Sequence, residues 1–336
     1  KLKNLNCLSS KVDVSTIHSL LYTPKVRWNS ELRKMIIVGW KKRDELLYDL
    51  IIVDEASMIS RNIFNDLISY GIPILFVGDN GQLPPIEKDG FNLMGNPHLM
   101  LNKIHRQAEN NLIIKLSMTA RNEGEIPFGI FDKSVFKLKW KDQRTKDLFL
   151  KTDFKEDVSV LCGTNKTRVK LNEMIRNKLK FIGDEPYPGE RLICLKNNHS
   201  AGVMNGQTGT LIFLLYEHKD LYNMTIQMDG IEGLYSGLVY KHIFGQEKYE
   251  DMSDFYIKNE NGRSKFDHLK DIIKDSDYKT LDFFDFGYAT TVHKAQGSQW
   301  KKVVLFEEGK HWLSDYNKWL YTAVTRAEEK LFIIAN

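Results

Sequence analysis

Asp54 and Glu55 close the segment Tyr48–Glu55, YDLIIVDE, where a run of aliphatic residues stops at two adjacent carboxylates. Two carboxylates at the end of a buried strand suit Mg2+ and a water molecule beside a nucleoside triphosphate. The first supports the ion, and the second orients and deprotonates the water. A pair of surface carboxylates at a strand end is the bland alternative. A second apolar run, Ile72–Asp79, leads into GDNGQLPPI. There Gly78 allows a tight strand exit, Asp79 can hold the loop through backbone hydrogen bonds, and Pro84 and Pro85 stiffen the end of that loop. Gln82 puts a neutral, two-ended hydrogen-bonding group on the same loop, able to touch both a γ-phosphate and its attacking water. A plain Pro-rich turn is the alternative there.

These groups need elements to hold them. The β-branched character of Tyr48–Glu55 predicts a strand buried on both faces of a parallel sheet. Ser60 to Gly71 predicts a helix with Ser60 as N-cap and Gly71 as its stop, which makes strand, helix, strand a βαβ unit. Further along, Asn110–Asn122 has helical periodicity, and Glu123–Phe131 (EGEIPFGIF) marks a boundary by its Gly and Pro. Val158–Asn165 predicts a strand with a polar turn, and Lys166–Lys180 a helix with a basic face. From Gly189 the pattern changes to short strands and turns, as expected of a small antiparallel barrel. Asp285–Phe306 and Trp319–Asn336 return to strand and helix.

The bulk numbers fit this division. The chain has 336 residues, enough for two domains, and 42% hydrophobic residues. No apolar run reaches the roughly 18–20 residues needed to cross a bilayer, and no secretory signal is visible. Cys7, Cys162 and Cys194 match neither a metal spacing nor a disulfide framework, which fits a reducing cytoplasm. Net charge is only +4, but residues 1–45 hold ten Lys/Arg against four Asp/Glu. That local excess suits either a solvated face or a polyanion.

The two strand ends resemble motifs of superfamily 1 helicases, specifically the RecD/Dda-like branch, and the likeness continues down the chain. Ser15–Leu21, STIHSLL, resembles the motif that contacts single-stranded DNA. Asn102–Asn110, NKIHRQAEN, resembles the motif whose arginine, here Arg106, reaches the γ-phosphate. Thr290–Trp300, TTVHKAQGSQW, is similar to the motif that couples DNA contact to the nucleotide state. Tyr321–Ile333, YTAVTRAEEKLFI, is similar to the one that supplies a second arginine finger, here Arg326. The resemblance implies an α/β fold of two RecA-like parallel-sheet motor domains. The first, residues 1–127, would carry a small β-ribbon insertion at about 22–45. The second, 128–336, would carry an SH3-like β-barrel insertion at about 189–282. It implies ATP and Mg2+ as cofactors, with Asp54, Glu55, Gln82, Arg106, Gly297 and Arg326 at the nucleotide and Asp54 on the metal. It places Ser15, Thr16, His18, Asn165, Lys166, Thr291 and His293 on nucleic acid. Arg168, beside Lys166, is a further candidate for phosphate contact, and an arginine in a structural carboxylate pair is the alternative for Arg106 and Arg326. His293 either touches a backbone phosphate or braces its loop. If it touches phosphate, its loss should make the salt dependence of DNA binding shallower by about one unit. Trp28, Trp40 and Phe283 could stack on bases or pack in a core.

One family element is missing from the 336 residues. No stretch matches the phosphate-binding loop G-x-x-x-x-G-K-[ST], which would precede Ser15. The first residue is Lys1 rather than Met, so truncation is the expected explanation, and the chain by itself is expected to be inactive. The resulting expectation is an ATP-dependent DNA helicase or translocase, 5′ to 3′, serving replication, recombination or repair. It would be a monomer acting on single-stranded DNA and duplex junctions, with a single-stranded-DNA-binding protein or replisome as partner and no membrane. Its place would be the cytoplasm of a bacterial or phage-infected cell. The alternatives are a non-hydrolysing nucleic-acid-binding partner and an RNA helicase of the same superfamily.

Overall fold

The computed structural model describes residues 12–29, 34–85, 91–101, 111–154, 158–198, 203–230, 233–249, 269, 281–310 and 313–336. For 24–29, 34–40, 150, 217 and 218 it describes the backbone alone. By its contacts the chain forms two compact units, Lys1–Leu101 and Asn102–Asn336.

In the first unit a short helix, α1 (Ile17–Leu21), opens into an antiparallel ribbon, β1 (Tyr22–Asn29) and β2 (Lys34–Lys42), with a bulge at Lys25/Val26. Thr16 caps α1 by accepting from the Ser19 N–H at 3.3 Å. The expected βαβ unit comes next as β3 (Ile51–Val53), α2 (Arg61–Ile68) and β4 (Ile74–Phe76), with β3 and β4 parallel. Ser60 caps α2 through the Ile63 N–H, and Gly71 ends the turn beyond it with a φ of 66°. One face of β3 and β4 packs on Leu21, Ala56, Ile59, Leu67 and Met94. Burial on both faces, expected for β3, is not found. Ile52 is 63% and Leu75 52% exposed, because among the described residues nothing covers that side of the pair.

The second unit is built on a six-stranded sheet. Its helices and strands in chain order are α3 (Leu112–Glu123), β5 (Gly129–Ile130), β6 (Val135–Lys139), α4 (Gln143–Lys151), β7 (Val158–Cys162) and α5 (Asn165–Lys178). The barrel strands come next: β8 (Arg191–Cys194), β9 (Thr208–His218), β10 (Leu221–Met228), β11 (Tyr235–Tyr240), β12 (Leu281–Asp282) and β13 (Phe284–Phe286). The chain then returns to the first sheet with β14 (Ala289–Thr291), β15 (Trp300–Phe306), α6 (Tyr316–Val324) and β16 (Ala327–Ala335). The order β14-β7-β15-β16-β6 is parallel throughout, and β5 adds an antiparallel edge. The helix α3 packs on α6 and β16, so by contacts it belongs with this unit.

The barrel sheet runs β12-β11-β10-β9-β8-β13. Its two outer strands are separated in the chain by Phe283 alone, so the sheet is bent nearly into closure around Leu211, Tyr222, Met224, Leu238 and Phe284. Phe283 is 3% exposed and belongs to that core, which removes it as a base-stacking candidate. The side chains of Trp28 and Trp40 lie outside the described residues.

Candidate nucleotide and nucleic-acid sites

The first unit places Asp54 and Glu55 at the carboxyl end of β3, both exposed. Asp54 Oδ1 accepts the Glu55 N–H at 2.9 Å. Glu55 has φ 52°, a left-handed conformation that non-glycine residues adopt rarely and that recurs at functional sites. The turn is fixed by its neighbour strand: the Val77 N–H donates to the Val53 carbonyl at 2.8 Å and the Ala56 N–H to the Val77 carbonyl at 2.9 Å. Gly78 is needed for that approach, since a Cβ there would lie 3.0 Å from both the Ser57 nitrogen and Met94 Sδ. Beyond it Asp79 Oδ1 accepts the Gly81 N–H at 2.8 Å, and the Gln82 N–H donates to the Asp79 carbonyl at 3.1 Å. Gln82 is 8% exposed, and its Oε1 is buried with no hydrogen-bond partner among the described residues; the Ser57 hydroxyl shares that condition.

These residues fit a magnesium nucleotide. Among the described residues no three His, Cys, Asp or Glu gather as a metal site. Mg2+ in nucleotide sites takes one or two protein carboxylates and fills its shell with phosphate oxygens and water, which the exposed Asp54 allows. The orphaned Gln82 oxygen suits a water O–H. Ser15, Thr16 and His18 are exposed around the start of α1, and the His18 ring lies 5.7 Å from that of Tyr22. Arg106 lies outside the described residues.

In the second unit, β7 and β14 are parallel neighbours, with Cys162 paired to Thr291 and the Val292 N–H donating to the Cys162 carbonyl at 2.9 Å. Their carboxyl ends therefore bring Asn165 and Lys166, exposed at the start of α5, beside Thr291 and His293. Burial lowers the His293 pKa below the usual 6.5, which favours the neutral ring. The segment then runs to the opposite end of the sheet, through Gly297 with φ 76°, and enters β15. There the Ser298 carbonyl accepts from Arg326 Nη1 at 3.0 Å. Arg326 is 4% exposed; it also donates from Nε to the Thr322 carbonyl at 3.0 Å and from Nη2 to Thr325 Oγ1 at 3.1 Å.

Arg168 is not a phosphate contact in this structure. It is 3% exposed and donates to Asp285 Oδ2 and to the Gln246 carbonyl, each at 2.5 Å. Two turns later Arg176 is held in the same way by Glu190, Nε to Oε1 at 2.7 Å. Both cations turn inward to the root of the barrel, so the face expected to be basic keeps Lys166 and Lys170 exposed but not these arginines. Sequence reasoning does not single out Asp285, Glu190, Lys294 or Glu308. Glu308 had a visible signal, because VVLFEEG repeats the pattern of an apolar run ending in two carboxylates. The other three carry no local signal, since each is defined by a partner distant in sequence.

Two family models match the chain: an AAA domain over residues 4–132 and a UvrD-like helicase C-terminal domain over 286–334. The ATP-dependent DNA helicase Pif1 of Campylobacter jejuni is 26% identical, covering 85% of this chain and 69% of its own length. The ATP-dependent RecD2 DNA helicase of Deinococcus radiodurans is also 26% identical over 85% of this chain, which spans only 36% of that relative. A RecD subunit of the RecBCD enzyme from Buchnera aphidicola is 20% identical, over 96% of this chain and 58% of its own. Among solved structures, Bacteroides Pif1 bound to single-stranded DNA superposes with a TM-score of 0.52 at 18% identity, covering 95% of this chain and 78% of that one. A Bacteroides Pif1 in complex with ADP-AlF3 and single-stranded DNA gives 0.50 at 17% identity, over 85% and 70%. These likenesses show the fold: two RecA-like domains with a barrel insertion. Taken with the motif residues at their strand ends, the matches support a superfamily 1 helicase of the RecD/Pif1-like kind.

Proposed function

We propose that this chain carries the motor of a helicase that moves 5′ to 3′ along single-stranded DNA and opens duplex junctions, as a monomer, in replication, recombination or repair. Glu55 takes the proton of the attacking water, Asp54 supports Mg2+, and Gln82 orients the water. Arg326, with Arg106, stabilises charge on the γ-phosphate. Mg2+, when bound, neutralises charge that develops on the phosphate oxygens. Ser15, Thr16 and His18 in the first unit and Asn165, Lys166, Thr291 and His293 in the second hold the DNA backbone.

The observation that carries this reading is Gln82. Its amide oxygen is buried and has no partner among the described residues, on the loop beyond the strand next to the one that ends in Asp54 and Glu55. An orphaned buried acceptor costs roughly 1–3 kcal/mol, which a bound water donating to it would recover. The segment 291–298 supports the motor reading further, since it joins the end beside Asn165 to the carbonyl that holds Arg326.

Strand displacement from a forked duplex tests the function and its direction together, using protein expressed from its complete gene. Displacement that needs a 5′ single-stranded tail is expected, and displacement that needs a 3′ tail would reverse the polarity. Hydrolysis stimulated by oligo-U but not by oligo-dT would favour RNA as the track. The 336 residues, which contain no G-x-x-x-x-G-K-[ST], are expected to show no measurable ATP turnover by themselves. DNA-stimulated turnover at ordinary motor rates from them would contradict that.

A further inference from the structure

The amino end of α5 is where the second unit presents Asn165 and Lys166, and the backbone donors just ahead of it are already taken. Glu308, two residues past β15, lays its carboxylate across them. Its Oε1 accepts from the Gly163 N–H at 2.6 Å and from the Thr164 N–H at 2.7 Å, and its Oε2 accepts from Thr167 Oγ1 at 2.8 Å. Thr164 completes the cap, its Oγ1 accepting the Thr167 N–H at 3.1 Å. Gly163 is matched to this arrangement, because a Cβ there would meet Glu308 Cγ at 2.9 Å and Oε1 at 3.0 Å. The same charge reaches Cys162 at the end of β7: burial first, and then the Glu308 carboxylate, push its thiol up to about 12.

Simple electrostatics gives this contact two consequences. Charge-assisted bonds from backbone N–H groups to a carboxylate are short and strong, and this one also opposes the positive end of the helix dipole. The Gly163 and Thr164 N–H groups are thus filled from within the protein, so a DNA phosphate must be met there by side chains, those of Asn165 and Lys166. The residue before Glu308 faces elsewhere. Glu307 pairs with Lys137 Nζ at 2.5 Å and accepts from the hydroxyl of Tyr316, the first residue of α6, also at 2.5 Å. One turn after β15 therefore holds the first turn of the DNA-facing helix and the first residue of the helix that leads to Arg326.

We propose that Glu308 is a positioning residue for nucleic-acid binding: it fixes segment 163–167 so that Asn165 and Lys166 meet the backbone of the single strand. The inference rests on the reading of those two residues as DNA contacts.

Equilibrium binding of labelled oligo-dT across a salt series tests it, using the 336-residue chain unmodified and as K166A, E308A and E308Q. K166A sets the scale, since losing one phosphate contact on a single strand should flatten the plot of log K against log salt by about 0.7. E308A should weaken binding about tenfold, the effect of ~1.4 kcal/mol, and flatten the slope nearly as K166A does. E308A and K166A combined should then be less than additive. E308Q, whose amide oxygen still accepts from both N–H groups, should restore affinity to within about threefold of the unmodified chain. If E308A loses its folded far-UV spectrum, E308D carries the same comparison with the carboxylate one methylene short. A lower melting temperature with unchanged affinity and slope would make Glu308 a fold residue only and overturn the proposal. Tighter binding with a steeper slope in both E308A and E308Q would overturn it too, by making Glu308 a competitor of phosphate. Absence of salt-dependent binding by the unmodified chain would instead remove the DNA reading itself, and this inference with it.

Discussion

Lys294 lies one residue past His293, and its surroundings oppose its charge. Burial first, and then the nearby Arg168 guanidinium, bring its ammonium down to about 8. Its Nζ lies 5.6 Å from the centre of the Tyr249 ring, on which Arg168 also rests at 5.0 Å, while Asp285 holds Arg168 and pulls the Lys294 pKa back up. The consequence for stability has a definite sign. A lowered folded pKa means that the unfolded chain holds this proton more tightly, so the cost of the charge is full below about pH 8. It fades as pH rises towards the ordinary lysine value of about 10.4. Relative to Lys294→Met, the unmodified protein should therefore gain stability across that window. Urea midpoints of both proteins at several pH values between 7 and 10 report it, and a constant difference would show that Lys294 titrates as a solvated lysine. The neighbouring pairs Arg168–Asp285 and Arg176–Glu190 show what the sequence hides at this scale. Arg168 reads as a basic residue beside Lys166, yet its partner is 117 positions away, and only the fold brings that carboxylate to it.

At the scale of elements, the βαβ unit, α3, α5 and the change to short strands after Gly189 were legible because apolar period and caps are local properties. Ser60 caps α2 as its residue type predicts. Two readings went differently for reasons that are not local. A strand read as buried on both faces has Ile52 exposed, because periodicity reports that a residue is apolar, not whether a second layer covers it. The rule that singled out Asp54 and Glu55 applies equally to Glu307 and Glu308, which turn inward to Lys137 and to the cap of α5. The residue pattern alone cannot separate an exposed pair from a structural one. The segment 291–298 carries its own prediction. Because burial favours the neutral His293 ring, His293→Ala should leave the salt slope of DNA binding within about half a unit of the unmodified protein, since a neutral ring carries no charge to lose. DNA stimulation of hydrolysis should still fall, since the segment joins the end beside Asn165 to Ser298 and so to Arg326. Parallel measurement of the salt slope and of ATPase with and without oligo-dT decides it. Equal loss of basal and stimulated hydrolysis would place His293 in the fold or at the nucleotide instead.

For the whole molecule, order along the chain was more informative than any single motif. A carboxylate pair, a Gln-Pro-Pro loop and two Arg segments each admit a structural explanation alone; in sequence over most of 336 residues they point to one family, and the parallel sheet and near-closed barrel agree with it. The phosphate cradle has no match in these residues, so the motor must be tested where a cradle is present or shown to be unnecessary. The most direct measurement is hydrolysis of ATP with and without oligo-dT by protein from the complete gene, beside its Glu55→Gln variant. A helicase motor with Glu55 as its base should show DNA-stimulated turnover that the variant loses by about a hundredfold or more, the usual worth of a general base. The variant should keep its affinity for nucleotide, because the amide preserves the shape. Turnover by Glu55→Gln near that of the unmodified protein, or hydrolysis indifferent to DNA, would contradict this.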